Sequence, residues 1–431
     1  MKRILSVLFW SIIAAAFIGP GTVTTAAKSG AQYGFALLWA LLFSTFATII
    51  LQEASARVKV VSGLSLGQAI RQRFYGSAKG WLVLVLVVGA IIFGCAAYEA
   101  GNILGSVRGV ELGTGLPAKM LTALIAAVAG AVLWFGTIRT VAYLLSAVVA
   151  FMGITFLVTA FLLKPPFLEL ARGSFLPSMP TGSGLLVLGL IGTTVVPYNL
   201  FLGSGIAAGQ KLPELRFGLA VSIILGGIIS MAVLVVGVSV TGEFEFSNLG
   251  RVLSERLGWW ASPLFAFGLG AAGLSSAITA PLAAAITARS LFEREGENLW
   301  TERTWRYRSV WIAVLLVGVG FGLAEVKPVP AIILAQALNG VVLPFVAVFL
   351  LIVVNDRRLM GAAQLNSTVS NLFMSLVVAV TIVLGSTNVL KAVASAMGGA
   401  APSENMIFLT SGLVTLSLAF PIGKAMLAHR N

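Results

Sequence analysis

The sequence predicts an all-α polytopic membrane protein. It reads as two inverted repeats of five helices, with the first and sixth helices broken, followed by two further helices. Three observations predict this. Hydrophobic residues make up 58% of the 431-residue chain, charged ones 10%, and mean hydropathy is +1.00, well beyond what a soluble core uses. The apolar runs repeatedly reach the ~20 residues that cross a bilayer. Two runs, five spans apart, are interrupted in mid-course: Ile18-Gly19-Pro20-Gly21-Thr22 and Thr193-Thr194-Val195-Val196-Pro197-Tyr198-Asn199. Proline removes a backbone donor and blocks the preceding turn. Inside a bilayer the freed groups are tolerable only where they face protein, a cavity or a ligand. Paired breaks of this kind mark a transporter with a binding site at the midplane, and a repeat with an odd number of spans must be inverted.

Twelve spans follow from the apolar pattern: 4–28 (broken), 34–58, 81–107, 118–136, 140–163, 184–209 (broken), 217–241, 259–290, 308–325, 329–354, 370–386 and 405–427. They divide into residues 1–164 for the first repeat, 165–355 for the second, and 356–431 for the last two spans. Each repeat opens with its broken helix and then small residues, Ala26-Ala27-Lys28-Ser29-Gly30 and Gly203-Ser204-Gly205. The longest connections are the Pro- and Gly-rich stretch from Pro165 to Gly182, a structured loop, and the charged stretch from Phe292 to Arg308, a solvated linker.

A net charge of +13 invites a nucleic-acid partner, but the distribution argues against one. Most Lys and Arg, among them Lys2, Arg3, Arg57, Arg71, Arg73, Arg216, Arg289, Arg306 and Arg357, fall at span ends or between spans on one side. This positive-inside bias places both termini in the cytoplasm, in a chain expected in a bacterial inner membrane. Met1-Lys2-Arg3 is read as an inner flank rather than a signal peptide, because the run after it leads to a break and not to a cleavage site. Cys95 and His429 are the only Cys and His, which excludes a disulfide, a Cys- or His-based metal cluster and a buried His relay. No nucleotide-binding loop occurs, so no ATP-driven pump is expected, and no enzyme constellation or cofactor either.

Ionisable residues inside spans are costly and by default functional or paired. Glu99, within Ala97-Tyr98-Glu99-Ala100-Gly101-Asn102, is the outstanding case. Gln336 and Asn339 place amides in the tenth span near the presumed site. Glu53 and Arg57, four residues apart, read as an interfacial helix pair. Lys28 reads as a side chain that snorkels from the end of the first span.

Gly19-Pro20-Gly21-Thr22, Gly30-Ala31-Gln32-Tyr33-Gly34 and Leu37-Leu38-Trp39 together resemble the first-helix region of the NRAMP divalent-metal transporters. Val195-Val196-Pro197-Tyr198-Asn199-Leu200-Phe201-Leu202 resembles that family's sixth helix. Leu343-Pro344-Phe345 and Asp356-Arg357-Arg358-Leu359-Met360-Gly361 resemble the end of its tenth helix and the following loop. The resemblance runs from residue 19 to residue 361 and implies a LeuT-like fold. It implies a cargo site at Gly19, Gly21, Thr22, Thr193, Val196 and Tyr198, with Gln336 and Asn339 close by. It also implies a proton path through Glu99, with Arg308 as partner. A structural, paired role for Glu99 stays equally open.

The departures from the family pattern are informative. The family's Asp-Pro-Gly-Asn break has Gly19 and Thr22 here in place of aspartate and asparagine, and Val196 replaces its methionine. Thr193 would supply the main-chain carbonyl, and Tyr198 and Gly203 replace two histidines. A bare divalent ion needs compensating charge and close ligands, and sulfur favours transition metals. Neither charge nor sulfur is offered by these positions, so no side chain is expected to ligate a bare ion directly. The expectation is a wider, neutral pocket and a secondary transporter that imports a metal as a bulky complex such as a ferric siderophore. The lipid bilayer, the small-molecule or metal-complex substrate and protons are the partners. A hydrated Mg2+ carrier, an amino-acid-type symporter and a transport-inactive homologue remain as alternatives.

Overall fold

The computed structural model describes residues 6–7, 9–10, 18–74, 78–136, 138–293, 299–396 and 404–428. Lys2, Arg3 and His429, and the first span between residues 11 and 17, lie outside the described residues. Among those described there is no strand. The membrane helices are α1 (Pro20–Tyr33), α2 (Leu38–Ser62), α4 (Ala78–Thr114), α5 (Ala118–Phe135), α6 (Ile138–Leu162), the pair α8 (Gly184–Thr194) and α9 (Pro197–Ile206), and α10 (Leu212–Gly237). They continue with α12 (Ala261–Phe292), α13 (Trp305–Leu323), α14 (Pro328–Val353), α16 (Thr368–Ala396) and α17 (Glu404–Leu427). Between them lie shorter helices: α3 (Leu66–Phe74), α7 (Phe167–Phe175), α11 (Phe246–Leu257) and α15 (Arg357–Met360).

Both expected breaks are present, with one shift. The first includes Ile18 and Gly19, the described residues just ahead of α1, and Gly21 and Thr22 already belong to α1. Gly19 is extended (φ −120°, ψ −172°) and Pro20 occupies the first helical position, where its missing N–H costs nothing. The second break is Val195 and Val196, with Val196 extended ahead of Pro197 at the start of α9. The sequence placed the break over Ile18–Thr22 on its proline and glycines; the proline's fitness for a helix start instead puts Pro20, Gly21 and Thr22 in the helix.

The half-helices α1 and α8 run antiparallel. Thr22 faces Thr193, Thr25 packs on Gly189, and the Tyr33 hydroxyl reaches the Thr181 carbonyl at 3.4 Å. Close backbone approaches lock the bundle around them. Gly237 of α10 lies on the Ala27 main chain, and Gly273 of α12 lies on Ser106 of α4, whose hydroxyl donates to the Gly270 carbonyl at 2.7 Å. α17 is largely exposed along Leu409, Leu413, Leu416 and Phe420, as a lipid-facing helix outside the repeats should be.

One end of the bundle carries the Glu53–Arg57 pair, and it is more than a local i,i+4 contact. Arg57 Nε stands 3.1 Å from Glu53 Oε1, Arg57 donates at 2.6 Å to the Gln364 carbonyl, and it also donates to Asn366 Oδ1. Arg216, at the start of α10, meets the same Glu53 oxygen at 2.8 Å. Asn366 continues to Asn371 and Asn371 to Asn355. Asp356 pairs with Arg73 of α3 at 2.9 Å. At the opposite end lies Lys28. It lines a cavity of about 700 Å³ together with Arg108, Glu111, Glu243, Glu245 and Lys327.

Candidate functional site

The two breaks meet. Thr22 Oγ1 and Thr193 Oγ1 lie 2.8 Å apart, both fully buried. The Tyr98 hydroxyl, from α4, donates to the Thr193 carbonyl at 3.3 Å, and its ring packs edge-on against Tyr198 with centroids 5.4 Å apart. Val196 is 2% exposed beside them. Gln336, on α14, lies so close over Gly21 that any Cβ there would collide with its amide. Asn339, one turn further along α14, sits against Gly94 of α4. Gly19, Gly21, Thr22, Thr193, Val196, Tyr198, Gln336 and Asn339 thus come from the two breaks and from α14.

Several polar atoms here lack a partner: Tyr198 Oη, Gln336 Oε1, both amide atoms of Asn339 and of Asn199, Thr25 Oγ1 and Ser276 Oγ. Buried polar groups without a partner are rare, and each calls for one, be it a water, an ion or a ligand. They are all neutral. Among the described residues no group of three or more His, Cys, Asp or Glu could hold a metal ion.

The expected widening at Gly19 and its neighbours is not what the structure shows. Ser276 of α12 stands in the direction a Gly19 side chain would take, 3.0 Å from the Cβ position, and Gln336 fills the room over Gly21. Gln52 of α2 likewise lies over Gly203 and donates to the Asn199 carbonyl at 3.0 Å. Side chains from three other helices occupy the volume that the glycines release. Ser276 and Gln52 were not evident in the sequence, because the glycines they fill are remote from them along the chain.

Glu99 is fully buried, with Oε1 unpartnered and Oε2 accepting from Asn102 at 3.4 Å. The expected partner, Arg308, is elsewhere. Glu99 packs on Gly318, ten residues along α13 from Arg308, about 15 Å at the helical rise. The Arg308 guanidinium instead lies over the Trp134 ring, 3.9 Å from its centroid, a cation–π contact. Position in the sequence put Arg308 on the right helix but at the wrong height.

A family profile described as "Natural resistance-associated macrophage protein-like" matches residues 11–391. The divalent metal cation transporter MntH of Deinococcus radiodurans is 29% identical over 395 residues, 84% of each chain. A manganese transporter of Eremococcus coleocola superposes with TM-score 0.69 at 22% identity, covering 97% of this chain and 92% of that one. Mhp1, a nucleobase-cation-symport-1 transporter, superposes with TM-score 0.58 at 15% identity, covering 98% and 92%. These likenesses agree with the two broken helices in showing a LeuT-like fold, and with a profile match over nearly the whole length the chain belongs to the Nramp-like family of multi-pass membrane transporters.

Proposed function

We propose that this protein is a secondary active transporter of a divalent metal cation that keeps most of its water shell while bound between the two breaks. The names of its relatives, which specify divalent metal cations and manganese, support the metal. The donor set supports the shell. A naked divalent ion needs charged or numerous close ligands to replace its hydration, and the breaks contribute hydroxyls, amides and carbonyls only. The observation that carries the reading is the group of buried, unpartnered neutral atoms at Tyr198, Gln336, Asn339 and Ser276. Waters held by a cation are good donors to such oxygens, and a water-mediated contact is nearly as favourable as a direct one.

A bulky metal complex such as a ferric siderophore finds less support. Thr22 and Thr193 are in direct contact, and Gln336 and Ser276 fill the space beside the glycines. Glu99, buried with one free oxygen, is the candidate carrier of a coupling proton. Residues 1–164 and 165–355 are taken as the two inverted repeats, with the Arg57 end facing the cytoplasm.

Uptake into proteoliposomes tests the cargo. Mg2+ and Mn2+ should enter in a saturable manner, and Mn2+ should bind much more weakly than to a relative with an aspartate at the position of Gly19. Micromolar Mn2+ affinity by calorimetry would sink the water-shell reading. Uptake of a ferric siderophore in place of either ion would restore the bulky-complex alternative.

A further inference from the structure

On α12, the helix that faces the first break, one fully buried hydroxyl lacks the bond that other buried hydroxyls of the helix make. Thr279, Thr287 and Ser290 each donate to a main-chain carbonyl of the preceding turn, those of Ser275, Ala283 and Thr287, all at 2.7 Å. That is the usual way a helix hydroxyl satisfies itself in apolar surroundings. Ser276 does not do so. Its Oγ has no partner although the residue is 1% exposed. It stands 3.0 Å from the place a Gly19 Cβ would occupy, and among the described residues outside Ile18–Pro20 only Ser276 comes within 4 Å of that point. The hydroxyl is therefore aimed at the extended residue of the break.

The helix that presents it is firmly held. One turn before Ser276, Gly273 lies against the Ser106 main chain, and Ser106 Oγ donates to Gly270. A ligand on such an element keeps its position while a broken helix moves.

We propose that Ser276 is a ligand of the cargo, its Oγ hydrogen-bonding a water molecule of the hydrated cation at the first break. Glycine at position 19 is what leaves that hydroxyl uncovered. A side chain at 19 would press on Ser276 and push its hydroxyl off that water, so positions 19 and 276 together set which form of the metal is accepted. This inference rests on the hydrated-cation reading above.

The test is Mg2+ and Mn2+ uptake, with a ferric siderophore assayed in parallel, by proteoliposomes containing wild type, Ser276→Ala, Ser276→Thr or Gly19→Ala, each shown to be monodisperse. Ser276→Ala should raise KM for the divalent cation about tenfold with kcat within about twofold, the loss expected of one hydrogen bond. Ser276→Thr, which keeps the hydroxyl, should restore KM to within about threefold, and Gly19→Ala should raise it as Ser276→Ala does. An unchanged KM in Ser276→Ala overturns the role of Ser276 and leaves the hydrated-cation reading intact. Equal defects in Ser276→Ala and Ser276→Thr overturn it as well, since the hydroxyl would then not be the cause. Wild-type protein that carries only the siderophore, or nothing, overturns both.

Discussion

Glu99 is a carboxyl group with one oxygen unpartnered, on a helix packed so tightly that Gly318 of α13 rests on its side chain. With Arg308 held over Trp134, no cation among the described residues pairs with it, and a paired structural role loses its main support. The role proposed for it above is proton exchange. Glu99→Gln keeps the shape and the Asn102 contact while removing the titratable group, so uptake should persist and its pH dependence should vanish. A pH profile identical to wild type would return Glu99 to a packing role. At this scale the sequence was legible where chemistry is rare: a lone intramembrane carboxylate, two amides on one apolar span. It was illegible where chemistry is common. Ser276 sits in Ala271-Ala272-Gly273-Leu274-Ser275-Ser276, a run that reads as packing, and only full burial without a hydrogen-bond partner distinguishes it.

The half-helices owe their existence to local backbone chemistry, which is why they could be read in advance. Pro20 and Pro197 start helices and deny the residues before them an α conformation, whatever the rest of the chain does. The short helices α3, α7 and α11 were not read, because nine to twelve residues of mixed polarity carry too little periodicity to separate them from loops. What positions α1 is its seam with α10, where Gly237 meets the Ala27 main chain and Gly30 meets the Leu234 carbonyl. Backbone cannot move aside as a flexible side chain can. Gly237→Leu should therefore destabilise the protein by about 3 kcal/mol, read as a clear drop in thermal midpoint in detergent. A midpoint equal to wild type would show that α1 is free to shift outward from α10.

Taken whole, the molecule is two repeats with α16 and α17 attached, and the Arg57 cluster is where the attachment meets the part that carries the breaks. Arg57 is 4% exposed and joins α2 to residues 364 and 366, while Glu53 joins it to α10 through Arg216. Arg57→Ala strips the donor from the Gln364 carbonyl and Asn366. Because Glu53 is one-fifth exposed and keeps Arg216, we expect a loss of only about 2 kcal/mol. Hydrogen exchange across residues 364–374 should rise in the variant; protection equal to wild type would mean the cluster is held without Arg57. The same cluster has a consequence in populations. If opening that end breaks these bonds, each ~1.4 kcal/mol they contribute is a tenfold ratio between molecules closed and open there. An ensemble resting almost wholly closed there keeps its site competent toward the opposite side, so little apparent affinity is lost to molecules facing the wrong way. The cargo must then supply, through its tighter grip on the opening state, whatever bias the cluster withholds.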